Sequence, residues 1–252
     1  MMRSVVVALA AFVLLSPTST MAAPVVFEAS GATPADIEAS VDAFRAFLGA
    51  LNPNVPGSFP SGRREINWDG VPDAFSAPNN LPANFFNANS PRGAVFFTPG
   101  SGFQVSADSV NPTNTPVRFG NLHPDFPRIF STFSPERLFA ALDSNILETV
   151  FFVPGRQTGA AVGGFGSVFT GVNDEDSTKI EYFDVAGRLL FSRNVLAGPT
   201  NRGSLSFLGV GFDAGERVFV VRITSGSRSP DTPARDVVVM DDFIYGEPQA
   251  LP

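Results

Sequence analysis

Near its C-terminus the chain runs Val237-Val238-Val239-Met240-Asp241-Asp242-Phe243-Ile244-Tyr245-Gly246-Glu247-Pro248, an apolar stretch with two adjacent carboxylates in its middle. A continuous apolar run of this kind is the pattern of a strand buried on both faces. A buried carboxylate must be paired, hydrogen-bonded or bound to a metal. The segment therefore predicts a β fold and poses one chemical question: what satisfies Asp241 and Asp242.

The rest of the chain reads mostly as short strands punctuated by Gly, Pro and Asn. Strands are expected over Val25–Glu28, Arg64–Trp68, Ala94–Thr98, Gly102–Ser106 and Val117–Gly120. They become denser over Glu148–Val153, Gly164–Gly171, Lys179–Val185, Leu189–Asn194, Ser204–Val210, Arg217–Ser225 and Asp236–Tyr245. Asp184-Val185-Ala186-Gly187 has the composition of a hairpin turn. One helix stands out. Thr33 caps it, Pro34 fits its first turn, Asp36 sits three residues after the cap, and Ile37, Val41, Phe44 and Leu48 form one apolar stripe ending at Gly49. Ser134–Leu142 is expected to form a second, short helix on its Ser-Pro start. Residues 52–93 and 107–135 are rich in Pro, Asn and Gly, with Phe75, Phe85, Phe86 and Phe126 to anchor them as ordered loops. The whole predicts an all-β, jelly-roll-like antiparallel sandwich with one N-terminal helix, in a single domain over residues 23–252.

Residues 1–22 read as a signal peptide: Arg3 supplies the positive end, Val5–Leu15 the apolar core, and Thr20-Met21-Ala22 the small residues before cleavage. Its removal takes the formal charge from −7 to −8, since Arg3 is the segment's one charged side chain. That acidity argues against nucleic acid and anionic membranes as partners. The chain has no cysteine, which excludes disulfides, thiol nucleophiles and thiolate zinc sites. The single histidine, His123, sits in a turn-rich stretch and reads as an exposed loop residue, and no G-x-S-x-G elbow is present.

Three chemistries suit the remaining residues. A structural calcium ion needs six to eight oxygen ligands, for which Asp241 and Asp242, joined by Glu28 if first and last strands pair, are the candidates; the Asn173–Asp176 loop is the alternative. A carbohydrate site is suggested by Gly62-Arg63-Arg64-Glu65-Ile66-Asn67-Trp68-Asp69-Gly70, with Trp68 as a stacking platform and Arg64, Glu65 and Asp69 as polar neighbours. Against a broad glycan groove, 26 aromatics are Phe, with one Trp and two Tyr, and Phe belongs in a core. Hydrolysis by paired carboxylates is the third reading. Glu65 and Asp69 lie about 13 Å apart along an extended strand, too far unless the chain turns between them. Gly163–Gly166 follows no βαβ pattern, so its glycines are expected to permit close strand packing.

Several stretches together resemble bacterial exported proteins of the PEP-CTERM (exosortase-sorted) type: Gly62–Gly70, Gly164–Val172, Ile180–Leu189, Leu205–Val210 and Val237–Pro248. The resemblance implies an extracellular β-sandwich at the cell surface or in an exopolysaccharide layer. Such proteins end in a Val-Pro-Glu-Pro signal, a membrane helix and an Arg cluster, whereas this sequence stops at Gln249-Ala250-Leu251-Pro252, so free secretion is expected. The expected function is a secreted, non-enzymatic binding or structural module with polysaccharide or cell-surface partners and a candidate structural calcium. A calcium-assisted carbohydrate-binding module and a carboxylate-based polysaccharide-active enzyme are the alternatives.

Overall fold

The computed structural model describes residues 23–200, 202–231 and 236–251. The expected signal peptide lies outside them. The elements run β1 (Val25–Gly31), α1 (Pro34–Leu48), β2 (Arg63–Ile66), α2 (Phe85–Ala88), β3 (Ala94–Phe97), β4 (Gly102–Val105), α3 (Phe126–Ile129), β5 (Phe139–Leu142) and β6 (Ile146–Phe151). They continue with β7 (Ala160–Ala161), β8 (Gly164–Thr170), β9 (Lys179–Phe183), β10 (Leu189–Asn194), β11 (Leu205–Gly211), β12 (Val220–Thr224), β13 (Val239–Gly246) and β14 (Gln249–Ala250).

Two antiparallel sheets face each other. The larger has the order β1-β11-β8-β13-β5-β4, with β2 also pairing along β13, and the smaller has the order β10-β9-β12-β6-β3. From β5 onward the chain passes repeatedly from one sheet to the other, the wrapping of a jelly roll. Phe165, Phe169, Leu208, Val210, Phe243 and Tyr245 from the larger sheet interdigitate with Phe96, Leu147, Phe151, Ile180, Tyr182 and Val221 from the smaller. The Tyr182 hydroxyl donates to the Phe165 carbonyl across the gap at 3.1 Å, so a phenol is buried without an unmet donor.

The larger sheet is covered on its outer face as well. Ile37, Val41 and Phe44 of α1 pack on Val168, Leu205, Phe207 and Ile244. Further along, Phe119, Phe126, Phe130 and Leu138 pack on Ala140, Val237 and Val239, so residues 119–130 cover this part of the outer face. This double cover explains why β8, β11 and β13 are buried at every position, while β6 and β9 alternate between buried and half-buried residues. The helix expected over Ser134–Leu142 does not form: Phe139–Leu142 enters the sheet as β5, because Leu138 and Ala140 meet the outer cover while Phe139 and Ala141 meet the core. Val117–Gly120 is likewise no strand; Arg118 and Phe119 adopt left-handed backbone with φ of 48° and 61° in a turn.

The helix starts and stops as its sequence predicts: Thr33 N–H donates to the Asp36 carboxylate at 2.8 Å, and Gly49 closes the last turn with φ 98°. It approaches the sheet closely because Gly166 and Gly209 are directly paired beneath Phe44. A Cβ on either would lie 2.9 Å or 2.8 Å from the Phe44 ring. Gly209→Ala is therefore expected to cost about 1–3 kcal/mol by overpacking. Pairing it with Phe44→Leu should recover part of that loss in urea denaturation; independent, additive effects would show that the ring does not occupy the notch.

Candidate functional site

The Gly62–Gly70 segment and the C-terminal stretch meet in space, because β2 runs antiparallel to the second half of β13, with Ile66 opposite Phe243 and Arg63 opposite Gly246. Arg64, fully buried, forks onto Glu247 with Nε donating at 2.6 Å and Nη2 at 2.8 Å. Its remaining donors reach the carbonyls of Pro53, Pro91 and Gly57. Glu247 also accepts from Asn52 Nδ2 at 2.8 Å and from Phe59 N–H at 3.1 Å. Every charge in this pair is satisfied internally, as a buried ion pair requires. Arg64 is thus a structural clamp and has no donor left for a ligand. Glu65 accepts from Arg45 Nε and Nη2, each at 3.0 Å, and from Arg63 Nε at 2.6 Å.

Trp68 does not form a stacking platform. It is 1 % exposed, stacks on Phe139 at 4.0 Å between ring centroids with 9° between planes, and meets Phe86 and Phe243 edge-on. Its indole N–H donates to the Asp241 carbonyl at 2.8 Å. That bond fills a gap in the ladder. Along one edge β13 pairs with β5 at Met240 and with β2 from Phe243, and the side chain of Trp68 serves the backbone between them. Asp69 is half-buried and accepts the backbone N–H groups of Glu136 and Arg137, the latter at 3.0 Å. Burial is the main influence on its carboxyl, raising its pKa.

Between Met240 and Phe243 the pairing with β8 slips by one residue, so Asp241 and Asp242 together oppose a single partner position. The bulge turns both carboxylates outward, toward the 133–134 segment. Asp241 Oδ2 accepts the Phe133 N–H at 2.6 Å. The Ser134 hydroxyl lies 3.2 Å from Asp241 and 2.8 Å from Asp242, and Arg45 approaches Asp242 at 3.6 Å. Burial, then the neighbouring Asp242, holds the Asp241 pKa well above the usual range. Burial pushes Asp242 up to about 6, opposed by the hydroxyl of Ser134. The two aspartates are therefore met by the Phe133 N–H, the Ser134 hydroxyl and one arginine, with burial raising both pKa values.

Glu28 does not join them. β1 and β13 are separated by β11 and β8, three interstrand spacings or about 14 Å. The Glu28 carboxylate is instead held by Arg193 Nε at 2.7 Å. Among the described residues no group of three or more His, Asp or Glu is arranged to hold a metal. The acidic Asn173–Asp176 loop closes on itself, with Asp176 N–H donating to Asp174 Oδ1 at 3.1 Å. His123 is 47 % exposed, as a loop residue would be.

What composition alone does not reveal is a cleft of about 350 Å³ beside Trp68, bounded by the turn through Phe75 and by α2 with the residues after it. Trp68, Phe75, Phe85 and Phe86 wall it. Asn67, Asn89, Ser90 and Arg92 supply its polar lining. Phe85, Phe86 and Trp68 are fixed by mutual edge contacts, so the wall is preformed. The backbone at Trp68 is left-handed, φ 65°, a strained state for a bulky residue that its stack and indole bond hold in place. Two other open concavities are lined by charges already paired, Glu148 with Arg222 at 2.6 Å and Glu28 with Arg193.

Two outcomes are expected from this geometry. Glu247→Gln, which strands Arg64 in the interior, should lower stability by about 3–5 kcal/mol, read as a reduced denaturation midpoint at unchanged m-value. For Asp242 the folded chain holds a proton at pH values where an unfolded carboxyl, near 3.8, has released it. Its contribution to stability is thus lost as pH rises from about 4 through about 6. Unfolding free energy should rise as pH is lowered from about 7 to about 5, by of order 1–3 kcal/mol, and Asp242→Asn should weaken that dependence. A wild-type profile flat over this range would contradict a buried, raised Asp242.

No family model and no curated protein matches this chain.

Proposed function

We propose that this chain is an exported, non-enzymatic binding module whose ligand seats in the cleft between the Asn67–Phe75 turn and the Phe85–Arg92 segment. The observation that carries the reading is the composition of that cleft: rigid aromatic walls, exposed amides, one cation and no carboxylate. Hydrolysis by paired acids requires two carboxyls facing a substrate. The adjacent acids Asp241 and Asp242 lie beneath Phe133 and Ser134 and line no part of the cleft, which favours binding over turnover. Export rests on Arg3, the Val5–Leu15 run and the small residues ending at Ala22. Extracellular polysaccharide or a cell-surface component is the partner that suits such a module.

The test is retention of the mature chain on a panel of immobilised extracellular polysaccharides, beside a Phe75→Ala variant that removes a half-buried ring from the cleft wall. The wild type should be retained on at least one polymer with no release of reducing sugar, and the variant several-fold less. Retention untouched by Phe75→Ala would move the site elsewhere. Absence of retention on every polymer by a folded protein would remove the binding reading.

A further inference from the structure

We infer that the ligand of this cleft is an acidic saccharide of the uronic-acid class, its carboxylate met by Arg92 and its ring face by Phe75. The inference rests on the cleft being a ligand site, and it is drawn from how the chain disposes of its arginines. Eight arginines of the described chain pair with an acid, namely Arg45, Arg63, Arg64, Arg128, Arg137, Arg188, Arg193 and Arg222. Arg92 and Arg118 are half-buried, yet among the described residues neither forms an ion pair. Arg118 gives Nη1 to the carbonyls of Pro127 and Phe130, away from the cleft, whereas Arg92 lines it. Its Nε donates to the Glu65 carbonyl at 2.8 Å and its Nη1 to the Ser90 hydroxyl, while the guanidinium lies over the Phe86 ring at 5.2 Å. Nη2 donates to no protein group among the described residues.

The charge near Arg92 makes its position costlier still. Burial depresses its guanidinium pKa, and the cation of Arg64 depresses it further. A half-buried charge without a counter-ion is unfavourable, and it becomes favourable when a ligand brings the opposite charge. The planar guanidinium fork matches a carboxylate, which it can take through Nη2 while Nε and Nη1 stay anchored. Around it stand groups suited to the rest of a pyranose. Phe75 is a half-buried apolar face, and the side-chain amides of Asn67 and Asn89 are exposed and make no hydrogen bond within the described chain. These are the free donors and acceptors that ring hydroxyls need. The chain as a whole carries −7, so bulk electrostatics repel a polyanion, and any uptake of one must come from a local site.

The experiment measures binding of the mature chain to galacturonate oligomers, neutral dextran and dextran sulfate, with Arg92→Gln and Asn89→Ala as variants. Galacturonate should bind, with dextran at least tenfold weaker and dextran sulfate no better than dextran. Arg92→Gln should weaken galacturonate at least tenfold, the loss of one charged hydrogen bond, and bring it close to dextran. Asn89→Ala lies away from the core and should weaken galacturonate in a protein whose melting temperature is unchanged, which keeps the test valid if Arg92→Gln misfolds. Free glucuronate, and not glucose, should compete with wild-type binding. Equal binding of galacturonate and dextran, or competition by glucose, would overturn the acidic-ligand inference and leave a binding module for neutral glycans. Preference for dextran sulfate would overturn carboxylate recognition. No binding of any of the three would count against both this inference and the binding reading.

Discussion

The buried pair of Arg64 and Glu247 organises the cleft end of the molecule. Two charges removed from water are tolerable only when each finds several partners, and the partners here come from four places: the 52–59 loop, Pro91, β2 and the end of β13. The need to satisfy one guanidinium thus ties the 52–59 loop and Pro91 to β2 and the end of β13. Pro91 precedes Arg92, and Glu65, next to Arg64, offers its carbonyl to Arg92. The cleft takes its shape from this clamp. Its cation is placed by one backbone carbonyl and a serine hydroxyl and not by an acid, which leaves the charge unspent.

The bulge in β13 is a second local device with distant effects. A regular strand would send Asp241 and Asp242 to opposite faces, one of them into the phenylalanine-rich core. The extra residue sends both outward and interrupts pairing along the opposite edge, where the indole of Trp68 supplies the missing donor. One irregularity therefore explains the orientation of the acid pair, the burial of the tryptophan and its left-handed backbone. The tryptophan in turn forms the inner wall of the cleft.

These relationships mark how far the sequence could be read. Local signals were legible: the Thr33–Asp36 cap, the Ile37–Leu48 stripe, the Asp184–Gly187 hairpin, and the strands of the second half, all of which depend on neighbours within a few residues. The site was not. Arg64 and Glu247 stand 183 residues apart, and no periodicity links them. The Arg, Glu, Trp and Asp of Gly62–Gly70 have the composition of a ligand site, but a polar network inside a fold needs the same residue types. Helix-forming residues in Leu138–Leu142 lost to burial on both sides. Arg92 lies in an irregular segment between Pro91 and Gly93, and what sets it apart is that it lines the cleft with no acid beside it, a property visible once all neighbours are placed.

The position of β13 also fixes the order in which the molecule can complete itself. The strand lies in the middle of the larger sheet, between β8 and the pair β5 and β2, although it comes near the end of the chain. β1, at the opposite end of the sequence, must wait for β11, some 180 positions later, before it has any ladder partner. A chain emerging N-terminus first can form α1 and scattered hairpins, but loop-closure entropy is recovered only when these distant strands meet. Completion of the larger sheet is therefore held back until nearly all of its strands are present.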